Sequence, residues 1–431
     1  MSRSPLPDYR DPCGWNVLLP KRTPNPPARG TLRVKYAVVG AGFTGLAAAR
    51  RLAELDPSGP IALIEGTEIG EGSSARNSGF ANPRDSKIGL STSEMARAEK
   101  LNDYAAEGFA SLMEIMQAGG FSCDLERAGR ITAAATDAGV AKIRSMAEGA
   151  RAHGFAHEFL DEGDLKARIG TTYYRCGIRT EEGYLLQPAA LVRGLAGTLP
   201  EPVTLYETAP VTGIDRAAGG GWTLGTGEAQ VTAETVILAN NAAIKHFGHW
   251  RDGLVTIYTY AALTEEMSEA DCAHLGVPTW GLLPAHRLGT TVRRVGKNRM
   301  MVRSLYAYEK TLEPGDVRTA LTGCFHRRYP MLGHVRLEHV WGGTTALTMN
   351  GSPRWGRIDD GLYGSAGCNG SGLVKGTVLG KRLAEHIVTG DPETALRQTY
   401  GWANRIAPEP FRTLGFHVVS AIERRKAGAE M

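Results

Sequence analysis

The sequence predicts an α/β fold with a Rossmann-like dinucleotide unit, interleaved with a second unit built on an antiparallel sheet. Three observations predict it. Residues 36–65, YAVVGAGFTGLAAARRLAELDPSGPIALIE, hold an apolar run, three spaced glycines, a helical run, a second apolar run and an acidic end. Two later segments, VTAETVILANNA at 231–242 and YGSAGCNGSGLVKGTVLGKRLAEHI at 363–387, each carry a strand into small residues. Residues 287–309 read instead as two strands around a Gly296–Lys297–Asn298 turn.

The first unit starts with a strand from Val34 to Val39, favoured by Tyr36 and the valines. Gly40, Gly42 and Gly45 follow as G-x-G-x-x-G. Gly40 permits the tight turn, Gly42 lets backbone approach a pyrophosphate, and Gly45 lets the helix pack closely on the strand. The helix is expected from about Thr44 to Leu55, with Phe43 and Thr44 at its amide-rich start. A second strand, Pro60 to Ile64, ends at Glu65, which stands where the acidic end of such a unit falls after its third glycine. A carboxylate there can bind both ribose hydroxyls of an adenosine and repels a 2′-phosphate. Past Gly66, a Gly/Ser loop from Gly70 to Pro83, with Ser73, Ser74, Arg76, Asn77 and Ser78, intervenes where a simple NAD unit would go directly into a helix. It suits a longer cofactor.

The segment 231–238 reads as a strand, after which Ala239 and Asn240 let the chain pass close to the cofactor. The segment 363–387 reads as a strand end, a glycine turn (Gly367, Asn369, Gly370, Ser371, Gly372) and a helix through Leu373 and Val374. Its bare amides suit the flavin edge where negative charge collects on reduction. NAD needs no second polarising helix, so the pair of segments favours FAD. Helices are also expected at 92–118 and 139–153, and edge strands at Val203–Leu205 and Trp222–Leu224.

Composition bounds the partners. The 431 residues are 42% apolar, with a net charge of +4, too mild to argue for nucleic acid or membrane binding. No apolar run is long enough to span a membrane, and the Pro-rich leader Met1–Gly30 lacks a signal-peptide core. The leader is expected to be irregular and to lie over the surface. The six scattered cysteines form no CxxC pair and read as reduced thiols of a cytoplasmic protein. No metal site is expected: His326, His334 and His339 do not share a face.

Gly40–Gly45 with Glu65, the loop GEGSSARNSG, the strand AETVILANNA and the turn GCNGSGLVKG resemble the D-amino-acid oxidase superfamily of FAD enzymes. Within it the sequence is similar to the γ-glutamylputrescine oxidoreductase-like branch. That likeness includes the Trp15 segment, WGGTTALTMNGSPRWGR at 341–357 and APEPFRTLGF at 407–416. The resemblance implies a glutathione-reductase-type architecture. The FAD domain would be assembled from 31–110, 185–250 and 345–395. The substrate domain would comprise 111–184 and 251–344, with 1–30 an irregular leader and 396–431 a helical tail. It also implies that Val211 lies beside the adenine.

For activity, the resemblance implies FAD-dependent oxidative deamination or demethylation of a small primary or N-methyl amine. A hydride passes to the flavin, the imine hydrolyses, and O2 or another acceptor takes the electrons. The substrate carries a remote carboxylate or phosphonate on this reading. The alternatives are an amino-acid dehydrogenase of the same family and a non-catalytic flavin-binding subunit. Arg76 and Asn77 match the family loop beside the flavin; Arg76 also reads as a plain surface arginine. Arg303, in a run with Arg293, Arg294 and Arg299, is expected either to clamp an anion or to lie on a solvated face. Tyr258 and Tyr260 share a strand face, as an aromatic wall for an amine or as ordinary packing. Relatives in the sarcosine-oxidase branch place a carboxylate-anchoring lysine where this chain has Val374, and a flavin-linking cysteine where Thr344 to Met349 has none. Non-covalent FAD is therefore expected.

Overall fold

The computed structural model describes residues 6–84 and 92–431, with side chains from 97 onward in the second stretch. Residues 85–91 of the expected cofactor piece 31–110, and residues 1–5 of the leader, lie outside the described residues. The elements that build the site are, in chain order, β1 (Gly30–Val39), α1 (Phe43–Leu55), β2 (Ile61–Ile64), β3 (Ala229–Leu238), β4 (Val255–Thr264), β5 (Thr291–Val295), β6 (Arg299–Tyr308), α2 (Pro314–Arg328), β7 (Leu337–Leu347), β8 (Leu362–Ala366), α3 (Gly372–Thr389) and α4 (Phe411–Ala427).

Two eight-stranded sheets form the body. In the first, β1 is central, parallel to β3 from Gly30↔Ala229 to Val39↔Leu238 and to β2 from Tyr36↔Ile61 to Val39↔Ile64. β8 continues the parallel set beside β3, with Val236↔Leu362. The C-terminal ends of all four strands therefore meet at one edge, where open α/β sheets bind ligands. The Val203–Tyr206 strand is an edge, as expected, beside β2. Trp222–Gly225 is not: the short, largely polar Gly213–Arg216 strand covers it.

Helices α1 and α3 cover one face of this sheet. Leu46, Leu52 and Ala49 of α1 join Val378, Leu379 and Leu383 of α3 in one buried cluster. Each buried leucine contributes about 1.5–3 kcal/mol. Packing is therefore the main hold on α1: its N-cap Gly42 has no side chain to offer, and the Phe43 N–H turns instead to Ser74 Oγ, at 3.1 Å. The two helices cross in close contact: a Cβ at Gly380 would sit 2.1 Å from the Thr44 carbonyl oxygen.

The second sheet runs β7–β4–β6–β5, then Gly281–Pro284, Arg130–Ala134, Cys176–Thr180 and Glu158–Leu160. It is mixed rather than purely antiparallel, because Gly281–Pro284 pairs in parallel with Arg130–Ala134. Those strands are distant in sequence and no hairpin joins them. Helix α2 backs the β4–β6–β7 end, burying Leu321 and Phe325 against Tyr258 and Tyr260.

The N-terminal segment does not lie loosely over the surface. Its path is irregular apart from the short helix Gly14–Val17, yet Cys13, Trp15 and Ala28 are fully buried. Buried Glu207 accepts hydrogen bonds from Arg22, from the Asn25 N–H at 3.0 Å and from the Ile69 N–H at 2.7 Å. No described helix is long and apolar enough to cross a membrane.

Candidate active site

A cavity of 1530 Å³ opens between the two sheets. Ordinary ligand pockets hold roughly 300–1,000 Å³, so this one has room for a dinucleotide and a second molecule. Its first wall is the strand-end edge of the parallel sheet. Gly40 turns the chain at φ 99°, and a Cβ there would press on Ala239 and Asn240. A Cβ on Gly42 would meet Ser74 Oγ at 2.5 Å, and one on Gly45 the Gly40 carbonyl oxygen at 1.8 Å. Backbone crowding thus requires glycine at 40 and 45, whereas at 42 the neighbour is a side-chain hydroxyl.

The helix starts supply donors. Neither Gly42, before α1, nor Ser371, before α3, caps its helix with its own side chain, although the Phe43 N–H of α1 donates to Ser74 Oγ at 3.1 Å. The first amides of an α-helix have no intrahelical partner, and the helix dipole makes that end positive. Both starts line the cavity. At the end of β2, Glu65 accepts from the Ala41 N–H at 2.9 Å and from the Thr67 N–H at 3.0 Å. Burial raises the Glu65 carboxyl above its ordinary value, opposed by those amides. Asn240 Oδ1 is buried on the cavity wall with no partner among the described residues.

The second wall comes from the mixed sheet and α4. Ile257, Thr259 and Ala261 of β4 line the cavity, as do Thr291 and Arg303 of the paired strands β5 and β6. Arg303 Nη1 donates to the Tyr306 hydroxyl at 2.8 Å, which donates to the Arg287 carbonyl at 3.0 Å. Arg287 is paired with Glu423 of α4 at 2.9 Å. Among the described residues Arg303 has no carboxylate partner, and neither has Arg424 of α4, which lines the same cavity and donates to the Tyr306 carbonyl at 3.2 Å. Phe416 and Val419 of α4 also reach the cavity, and Phe416 stacks on Tyr308 with ring centroids 4.5 Å apart.

The family of FAD dependent oxidoreductases known as DAO matches residues 35–386. The chain belongs to this family. It is similar to γ-glutamylputrescine oxidoreductase of Escherichia coli (strain K12), with 27% identity over 364 residues, 83% of this chain and 84% of that relative. A probable oxidoreductase, OrdL, of Haemophilus influenzae is 26% identical over 381 residues, 85% of this chain and 86% of its own. Among solved structures, glycine oxidase from Geobacillus kaustophilus superposes with a TM-score of 0.72 at 18% identity, covering 87% of this chain and all of that one. L-proline dehydrogenase from P. horikoshii gives 0.66 at 17% identity, over 86% of this chain and 97% of that one. These two show a shared fold.

FAD is the cofactor of this DAO-family oxidoreductase, and the residues present fit it: two helix starts, an orphaned amide oxygen and an acidic strand end face one cavity. The expected cofactor residues Gly40, Gly42, Phe43, Thr44, Glu65, Gly66, Ser73, Ser74, Arg76, Asn77, Ser78, Val211, Ala239, Asn240, Asn369, Gly370, Ser371, Gly372, Leu373 and Val374 all line it. Gly45 and Gly367 do not. Gly45 serves packing alone, and the Gly367 N–H is taken by Asn241 Oδ1 at 3.1 Å.

Three expected catalytic residues need correction. Arg76 is buried and spends its donors on the chain: the Glu71 carbonyl at 2.7 Å, the Asp11 carbonyl at 3.0 Å, the Gly342 carbonyl at 2.9 Å and the Glu71 carboxylate at 2.7 Å. It positions the loop rather than offering itself to substrate. Tyr258 does not reach the cavity, and its hydroxyl accepts from the Asp8 N–H at 3.1 Å. Tyr260 touches the cavity rim, but its hydroxyl accepts from the Leu312 N–H at 2.6 Å and its ring packs with the α2 cluster. Alternation puts the even positions of β4 on the outer face, so the wall is made by Ile257, Thr259 and Ala261. Arg293 is also no surface cation: it is buried, donates to the carbonyls of Ser78, Gly79 and Leu186, and is drawn down by burial to about 10.

Sequence reading missed Tyr9, Arg287, Thr344 and the inner face of α4. Thr344 and Phe416 lie in the segments 341–357 and 407–416 that carry the family likeness, and Arg287 opens the 287–309 stretch, but nothing in those segments assigned them a role.

Proposed function

We propose that this protein oxidises the C–N bond of a small primary or N-methyl amine that carries an anionic group remote from the nitrogen. The observation that carries the proposal is Arg303: a guanidinium on the cavity wall, without a carboxylate partner among the described residues and steadied by Tyr306. Its planar fork suits a carboxylate or phosphonate. FAD, bound non-covalently at the helix starts, supplies the hydride acceptor. The chain's part is to bind, orient and dry the substrate. Arg303 and Tyr306 fix one end. Ile257, Leu288 and Leu347 exclude water around the other, which favours the neutral amine that can lose a hydride. The names of the curated relative and the glycine oxidase structure support an amine or amino acid as substrate. A buried Val374 disfavours an amino-acid carboxylate anchored from the first turn of α3. The membership of the two sheets supports assigning 31–110, 185–250 and 345–395 to the cofactor unit, with 111–184 and 251–344 as the substrate cover.

The test is anaerobic flavin bleaching by a panel of primary amines, N-methyl amines and amino acids, with and without a distal carboxylate or phosphonate. Admission of air then reads the acceptor, since fast recolouring with peroxide marks an oxidase. Bleaching by anion-bearing amines, lost to a raised KM in Arg303→Ala and only partly restored in Arg303→Lys, is expected. Anion-bearing amines that bleach no better than uncharged ones in the wild type, with KM unchanged in Arg303→Ala, refute the anion clamp. No bleaching by any compound favours the flavin-binding subunit.

A further inference from the structure

The N-terminal segment runs across the cofactor cavity instead of away from it. Leu6, Pro7 and Tyr9 line the cavity itself. Leu6 lies against Gly66, where a Cβ would come within 2.5 Å of its side chain, just beyond Glu65. A short step along the chain, the Asp8 N–H donates to Tyr258 on β4 of the other sheet, at 3.1 Å. The segment therefore bridges the two walls.

Tyr9 is its centre. The hydroxyl meets Ser73 Oγ at 2.6 Å, Thr344 Oγ1 at 2.9 Å and the Thr344 N–H at 3.2 Å. A phenol has one proton and two lone pairs, so three contacts saturate it. Ser73 belongs to the Gly/Ser loop and Thr344 to β7, so one hydroxyl ties the loop to the substrate-side sheet. The Arg76 guanidinium stacks on the Tyr9 ring, 4.1 Å from its centroid. The following residues hold the same loop. Glu71 accepts from the Cys13 N–H at 2.9 Å and from Asn16 Nδ2 at 2.5 Å, and the Trp15 indole donates to the Asn77 carbonyl at 2.8 Å.

We propose that residues 6–16 are an integral part of the FAD site: a strap that retains the cofactor, with Tyr9 as the positioning residue that sets the Ser73 loop against Thr344. This rests on the cofactor and not on the substrate proposed above. Two peptide walls joined over the cavity hinder the exit of a bound dinucleotide. The loop that lies along it is shaped on its far side by the strap. Loss of the strap therefore speeds FAD release more than it lowers the stability of the apoprotein.

The experiment compares holoprotein, Tyr9→Phe, Tyr9→Ala and a chain lacking residues 1–10, which keeps the buried Cys13 and Trp15. FAD dissociation on dilution is followed by flavin fluorescence, with the flavin visible spectrum and apoprotein melting as companions. The shortened chain and Tyr9→Ala are expected to release FAD at least about tenfold faster, with apoprotein melting little changed. Tyr9→Phe keeps the ring over Arg76, and Ser73 and Thr344 already bond each other at 2.8 Å. It is expected to show a smaller rise, about threefold, with a shifted flavin spectrum. In the wild type, FAD should slow tryptic cleavage at the exposed Arg10. Release rates equal to wild type in all variants overturn the proposal. If the shortened chain does not fold, Tyr9→Ala decides by the same readout. A fall in apoprotein melting that accounts for the whole loss of FAD also overturns it.

Discussion

Gly380 and Gly376 lie one helical turn apart on α3, both facing Thr44 at the start of α1. Their substitution by alanine separates backbone crowding from side-chain crowding. At Gly380 the new Cβ would stand 2.1 Å from the Thr44 carbonyl oxygen, against the 3.4 Å at which ordinary contact begins. The helices must part by about 1.3 Å, the difference, because neither carbonyl nor helix axis can rotate away. Such overpacking costs about 1–3 kcal/mol. Alanine returns about 1 kcal/mol of helix propensity, so a net loss up to about 2 kcal/mol is expected. At Gly376 the nearest atom is Thr44 Oγ1 at 2.9 Å, the end of a side chain that can change rotamer. Gly376→Ala should be close to neutral in stability. Parting the helices also moves both helix starts off the cofactor, so Gly380→Ala should weaken FAD by tenfold or more, with each tenfold worth about 1.4 kcal/mol. Urea unfolding of the apoprotein and FAD titration by fluorescence quenching read the two effects. Equal stability and equal FAD affinity in the two variants would refute the argument that this crossing positions the site.

Glu65→Gln should lower FAD affinity, read by the same titration, because it removes a charged acceptor at the strand end while leaving the Ala41 amide a neutral partner. The raised Glu65 carboxyl means the folded apoprotein holds that proton more tightly than the unfolded chain. Its contribution to apoprotein stability therefore falls as pH rises from about its ordinary value, 4.5, and urea midpoints of Glu65→Gln should lack this component. Glu409 behaves oppositely. Hydrogen bonds from Thr413 and then Arg412 hold it at about 2, so its support of the α4 start is present above pH 4.5 and is lost as pH falls towards 2. Limited proteolysis of α4 should accelerate in that window, and Glu409→Gln should show the acid behaviour already at neutral pH. Burial pushes the Cys13 thiol up to about 12, whereas Cys368 is half-buried on the cavity wall, with Thr345 Oγ1 at 3.2 Å. Maleimide should label Cys368 and spare Cys13, and added FAD should protect Cys368, as mass mapping will report.

The cofactor unit was legible because its physics is local. Gly40 and Gly45 announce close backbone approaches that a larger residue would block, and Glu65 follows at the spacing of one strand–helix–strand unit. The helix start after Gly370 was readable for the same reason. Each of these features lies within one short stretch of chain and fixes its own geometry. The alternation of Arg299, Met301 and Arg303 on β6 put them on one face but left open whether that face met solvent or the cavity; the structure places Arg303 on the cavity wall. What the tertiary structure alone decided is which face of each strand meets that cavity. Tyr258 and Tyr260 share a face by period, but only the packing of α2 on that side shows it to be the outer one. Arg76 and Arg293 look alike as loop and strand arginines, and only the carbonyls that converge on them reveal buried pins. Tyr9 reaches Ser73 and Thr344 across 64 and 335 residues. Contacts over such separations depend on where two sheets come to rest against each other, and a pattern confined to neighbouring residues carries no record of that.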